Sequence, residues 1–80
     1  MINWCEAEIM KKYLIVIEPT QTGFSSYSPD LPDCVSTGRT REEVEQNMRE
    51  AMAFHLEGSR EEGQTVPEPQ TYSAYVELPT

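Results

Sequence analysis

The sequence predicts an α+β fold in the order β-β-β-α-β: an antiparallel meander, one helix on one face, and a fourth strand parallel to the first, in strand order 3-2-1-4. Three observations predict it. The run Tyr13-Leu14-Ile15-Val16-Ile17 is apolar on both sides, as an interior strand is. Thr40 and Glu43 form a capping-box pair that opens a helical apolar stripe. Tyr72, Ala74, Val76 and Leu78 alternate with Ser73, Tyr75 and Glu77, the period of a strand. A chain of 80 residues makes one domain. At this size only ~60% of the unfolded surface is buried, which leaves modest stability unless the chain oligomerises.

Residues 1–9 read as an N-terminal lead, either flexible and dispensable before a second start at Met10 or a short cap through Trp4; residues 10–80 form the domain. The first strand spans Tyr13–Glu18, and Pro19 to Gly23 turns the chain. Phe24–Ser28 alternates aromatic and small polar residues as a second strand. Pro29-Asp30-Leu31-Pro32-Asp33 reads as irregular, because each proline lacks a donor and restricts the residue before it. Cys34–Thr37 is a short third strand, with Gly38 as a flexible corner. The helix starts at Thr40, with Glu42 and Glu43 at the positive end of its dipole. Val44, Met48, Ala51, Met52 and His55 share its apolar face, flanked by Phe54 and Leu56. It stops at Gly58 or continues to a glycine cap at Gly63. Pro67-Glu68-Pro69 is a stiff link to the fourth strand. The face away from the helix carries half the strand side chains, among them some of Tyr13, Ile15 and Ile17, and so calls for a partner or a second copy.

The net charge of −8 repels phosphate backbones, so direct nucleic-acid binding is not expected. The charge serves either to attract a basic partner or simply to keep a small domain soluble. Two cysteines, Cys5 and Cys34, are too few for a disulfide framework. With no secretory signal and no apolar run near the ~20 residues that span a bilayer, a cytoplasmic location with no membrane contact is expected.

No catalytic constellation stands out, and no enzyme activity, cofactor or metal is expected. His55 has no local partner signature with Cys34 and reads as a semi-buried structural residue. Cys5, Cys34 and His55 lack metal-ligand spacing. A nuclease-like site would need Glu18, Glu50 and Glu77 to converge, yet Glu50 belongs to the polar helix face. Glu43, Glu50 and Glu57 recur every seven residues, with Glu61 close by; Glu45–Arg49 and Glu57–Arg60 are the natural ion pairs. That stripe is either a solvated face or a steering surface for a cationic partner. Tyr75 and Glu77 on the fourth strand complete the candidate partner-binding set. Pro29, Asp30, Leu31 and Pro32, with Gly38, Thr40 and Glu43, form the structural framework; the prolyl loop reads as a rigid connection or as a recognition segment.

The stretch Gly23-Phe24-Ser25-Ser26-Tyr27-Ser28-Pro29-Asp30-Leu31-Pro32-Asp33-Cys34-Val35-Ser36-Thr37-Gly38 continues into Thr40-Arg41-Glu42-Glu43-Val44 and Glu50-Ala51-Met52-Ala53-Phe54-His55-Leu56-Glu57. With Gly63-Gln64-Thr65-Val66-Pro67-Glu68-Pro69, it resembles the HicB-like antitoxins from Lys11 to about Leu78. Asp33 stands where many relatives carry glycine. The resemblance implies a degraded ribonuclease-H-like domain that has lost its catalytic carboxylates. It also implies a non-enzymatic module that neutralises a basic, mRNA-cleaving HicA-type toxin by masking its active site, and that self-associates as a homodimer or larger homo-oligomer. Full members add a C-terminal DNA-binding domain; with the sequence reaching only Thr80, a short, single-domain member without autorepression is expected. The alternatives are a residual metal-dependent nuclease or a solitary homo-oligomeric interaction domain.

Overall fold

A computed structural model describes residues 11–80. The lead over residues 1–9 lies outside the described residues, as does Cys5. Three strands, β1 (Val16–Pro19), β2 (Phe24–Ser28) and β3 (Leu31–Gly38), precede one helix, α1 (Arg41–Glu61). The strands form an antiparallel meander ordered β1-β2-β3. Val16 opposes Tyr27 and Ile17 opposes Ser26, while Phe24 and Tyr27 oppose Gly38 and Val35 on β3.

The expected fourth strand is corrected. Tyr72–Leu78 has no ladder partner and every one of its residues is exposed. The order is therefore not 3-2-1-4 within this chain, and β1 is an edge strand rather than the centre. Its apolar residues Val16 and Ile17 are accordingly only half-buried. The prolyl segment is also corrected: β3 already begins at Leu31 and passes through Pro32. Tyr27–Ser28 spans one step on β2 where Val35 back to Leu31 spans several on β3, so Pro32, Asp33 and Cys34 form a bulge. An edge strand tolerates Pro32 there, because no outer neighbour needs its missing donor.

The helix boundaries follow from its ends. Thr40 is the N-cap, and its hydroxyl accepts from the Glu43 amide at 3.0 Å. The Glu43 carboxylate accepts in turn from the Arg39 amide at 2.6 Å, one residue before the cap. At the other end Gly63 takes φ +77°, where a side chain would be strained. Its amide donates to the Arg60 carbonyl and the Gln64 amide to the Ser59 carbonyl, the paired bonds of a Schellman cap.

Helix α1 lies on one face of the sheet, mainly over β3. Leu31, Cys34, Val44 and Met48 are the buried apolar residues, and Tyr13, Ile15, Met52 and Leu56 pack around the Leu31–Cys34–Met48 cluster. Tyr13 and Ile15 thus face the helix rather than the open side, on which some of Tyr13, Ile15 and Ile17 were expected. The open side instead carries the row Val16–Tyr27–Val35, and Val35 is 65% exposed.

The layer between sheet and helix is partly hydroxylic. Ser26 and Ser36 share a bond of 3.2 Å, and Ser36 donates to the Val44 carbonyl at 3.1 Å. Buried Ser28 donates to the Leu14 carbonyl. Asn47 donates to the Thr37 carbonyl at 2.8 Å, tying the helix to the end of β3. No buried side-chain polar atom among the described residues lacks a partner. Gly38 is a glycine for space rather than for flexibility: a Cβ there would sit 2.6 Å from the Val44 amide nitrogen.

Candidate functional site

The exposed side of α1 carries the strongest surface feature. Glu50, Glu57 and Glu61 are all exposed along it, and helical spacing sets Glu50 and Glu57 ~10 Å apart. Glu50 also accepts from the Gln46 side-chain amide at 3.0 Å. Glu43 starts the same row, but its carboxylate is already engaged by the Arg39 amide. The expected pairs Glu45–Arg49 and Glu57–Arg60 do not form. Lys11–Glu68, at 2.6 Å, is the one ion pair among the described residues, so the stripe keeps its negative field.

Phe54 is the residue that the sequence reading misplaced. It does not flank the core; it is 80% exposed, within the acidic row. The signal was present: at ~100° per residue it lies within about 60° of Glu50, Glu57 and Glu61, and about 100° or more from Met48 and His55. Beside it runs a shallow groove of about 430 Å³ that passes Cys34, Val35, Ala51, His55 and Gly58. The groove is open at Gly58, where an added Cβ would meet nothing within 4 Å.

Chemistry in this groove is muted. Cys34 is 3% exposed, and burial, then the adjacent Asp33 carboxylate, push its thiol above the ordinary value. A thiol so raised stays protonated and is a poor nucleophile. His55 is half-buried on the rim. Among the described residues, no three His, Cys, Asp or Glu side chains converge to hold a metal. Glu18, Glu50 and Glu77 in particular are not brought together. No described helix is long and apolar enough to cross a membrane.

The prolyl turn has a task that sequence reasoning did not assign. The Asp30 carboxylate accepts from the Gln70 and Thr71 amides and from the Thr71 hydroxyl, each at 3.0 Å. The Thr71 amide foremost, with the other two donors, holds this carboxyl below its ordinary value, against a smaller push upward from desolvation. Tyr13 donates to the Pro67 carbonyl at 2.6 Å. Residues 67–71 therefore cross the end of the sheet, from the lead into β1 to the β2–β3 turn. Tyr75 and Glu77, the two site residues expected on a fourth strand, lie beyond that crossing, and Tyr75 is 99% exposed.

The exposed side of α1 thus sets one apolar side chain, Phe54, within an acidic row. The sequence profile of the HicB-like antitoxin of bacterial toxin-antitoxin systems matches residues 13–80. The chain belongs to this family. An uncharacterised 14.9 kDa protein from the rep-hol intergenic region of Haemophilus phage HP1 is 36% identical over 67 residues, covering 84% of this chain. The HicB-like chain spans half the length of that relative. Among solved structures, a chain of the HicA3 and HicB3 toxin-antitoxin complex is 37% identical with a TM-score of 0.64, over 75% of this chain and 70% of that one.

Proposed function

We propose that this HicB-like chain is a non-enzymatic antitoxin that neutralises a basic, mRNA-cleaving HicA-type toxin in the cytoplasm by covering its active site. The likeness to a chain of the HicA3 and HicB3 complex carries the reading. The surface supports it: Glu50, Glu57 and Glu61 supply a field that speeds encounter with a cation-rich partner, and Phe54 supplies a desolvating anchor at its centre. The bound toxin's catalytic group is held against the groove beside Phe54. The three-stranded sheet with its single helix is read as the remainder of a ribonuclease-H-like body whose carboxylates no longer converge.

The test is inhibition. A purified HicA-type toxin with its RNA substrate should lose cleavage on addition of one equivalent of this chain. Phe54→Ala should weaken the complex by about 2 kcal/mol, roughly 30-fold in Kd, without unfolding a domain in which Phe54 is already solvent-facing. Glu50→Lys with Glu57→Lys should slow association and flatten its dependence on salt. Failure of the chain to bind or inhibit any HicA-type toxin, or RNA cleavage by the chain alone, ends the proposal.

A further inference from the structure

Helix α1 has a notch on the flank that turns from the acidic row toward β3. Gly58 is half-buried there, yet a Cβ added to it would meet nothing within 4 Å. Phe54 stands four residues before Gly58 and Glu62 four residues after it, so each lies one turn away on the same side of the helix. The short side chain of Ala51 and the exposed side chain of Val35 line the same groove and give the notch an apolar bed. Asp33, in the β3 bulge, lines it from the sheet. The side chain that Gly58 lacks therefore leaves a slot with an aromatic ring at one end, a carboxylate at the other and a second carboxylate across it.

The charge of this slot is one-sided. Asp33 and Glu62 line it with no lysine or arginine among the described residues, while Arg49 and Arg60 line the groove on the other flank of α1. Lys11–Glu68 is the one ion pair among the described residues, so neither Asp33 nor Glu62 is neutralised by one of them. Glu62 is also the C-cap of α1, at the negative end of the helix dipole. A carboxylate there opposes the helix and reinforces its pull on a cation.

We propose that the slot receives an arginine side chain of a cationic protein partner. The identity of that partner as the toxin rests on the antitoxin reading; the slot deepens it by naming the group that is selected. The methylene stem lies over Ala51 and Val35, the flat guanidinium stacks on the Phe54 ring, and its N–H groups donate toward Glu62 and Asp33. A lysine satisfies the charge, but its compact ammonium neither stacks as a plane nor forks between two carboxylates. Glu50, Glu57 and Glu61 attract any basic protein, whereas the slot discriminates among them.

The probe is the peptide acetyl-Gly-Arg-Gly-amide, titrated into the isotope-labelled full chain by NMR beside its lysine and citrulline counterparts. The arginine peptide should give saturable shifts at the Phe54, Gly58 and Asp33 amides and bind about threefold tighter than the lysine peptide; citrulline, which lacks the charge, should give none. Gly58→Leu fills the slot where there is room for a side chain, so Tm should not fall, and the arginine shifts should vanish. Glu62→Gln should weaken them about two- to threefold. Toward a HicA-type toxin, Gly58→Leu should raise Kd about tenfold or more. Absence of saturable arginine shifts, their retention in Gly58→Leu, equal shifts from the lysine or citrulline peptide, or toxin binding by Gly58→Leu at unchanged affinity would each overturn the proposal. If the toxin is not bound while the arginine peptide still maps to the slot, the antitoxin reading falls and the slot is upheld.

Discussion

Replacing Gly38 by alanine should cost this domain a large part of its stability through a single methyl group. The new Cβ would lie 2.6 Å from the Val44 amide nitrogen, 2.9 Å from Val44 Cα and 3.1 Å from the Glu43 carbonyl carbon. Ordinary carbon contacts lie near 3.5–4.0 Å, so the overlap is about 1 Å. All three atoms are backbone and cannot rotate aside. The first turn of α1 has to lift, and it is held down by buried Val44, by Ser36 donating to the Val44 carbonyl and by Asn47 donating to the Thr37 carbonyl. Overpacking costs ~1–3 kcal/mol, and weakening one such bond adds about 1 kcal/mol. A total of about 2–4 kcal/mol is a substantial share of the roughly 4–12 kcal/mol expected of a domain this size. At ~4–8 °C per kcal/mol, Tm should fall by at least 8 °C. Gly58→Ala is the internal control. Nothing lies within 4 Å of its Cβ and it sits inside the helix, so Tm should rise, by about 0.5–1 kcal/mol of stability. Urea and thermal unfolding followed by circular dichroism read both. Equal behaviour of the two variants would refute the steric argument.

Thr40→Ala removes the acceptor for the Glu43 amide and should cost about 1 kcal/mol in urea unfolding, whereas Thr40→Ser should cost little. The Asp30 carboxyl titrates below its ordinary 3.8 in the folded chain, so the crossing strap is held above that pH and released as pH falls through the lowered value; the Thr71 amide resonance should move with a midpoint below 3.8, and a midpoint at or above it would contradict the three-bond anchor. Cys34, buried and raised in pKa, should react with a thiol reagent at pH 8 at least tenfold more slowly than the unfolded chain in a Cys5→Ser background, and rapid native labelling would show the sheet–helix layer to be open. Met48→Ala empties a fully buried site and should cost about 2–5 kcal/mol, the largest single loss among these variants by calorimetry.

The start of the helix was legible in the sequence to within a residue, because Thr40 caps it by chemistry that acts locally; its end was read as either Gly58 or Gly63, and the structure takes the second. Strand β2 was legible for the same reason, lying between two turns. The runs that were misread depend on what sits beside them. Val16 and Ile17 announce a need for cover on both faces, but composition does not say that the single chain withholds it. Pro32 looks like a strand breaker until β3 is known to be an edge. Gly38 reads as a bendable corner, and only the distance to Val44 reveals it as a point of close approach. On the candidate face, the glutamate row was legible from its seven-residue repeat. Glu43 was assigned to that face although its carboxylate is spent on the Arg39 amide. Phe54 is apolar, and only its angular position beside Glu50, Glu57 and Glu61 sets it on the outer face. Asp30 gave no local hint of its grip on Gln70 and Thr71, forty residues on.

The linked hydroxyls of Ser26 and Ser36, ending on the Val44 carbonyl, bear on uniqueness. Greasy surfaces alone tolerate sliding, since one methyl substitutes for another at small expense. Directional bonds do not: displacing the helix by a single turn would strand an oxygen in a dry seam. With so few apolar residues to enforce alignment, this small polar latch is what selects one seating of helix on sheet over its neighbours, and with it where the acidic ridge points.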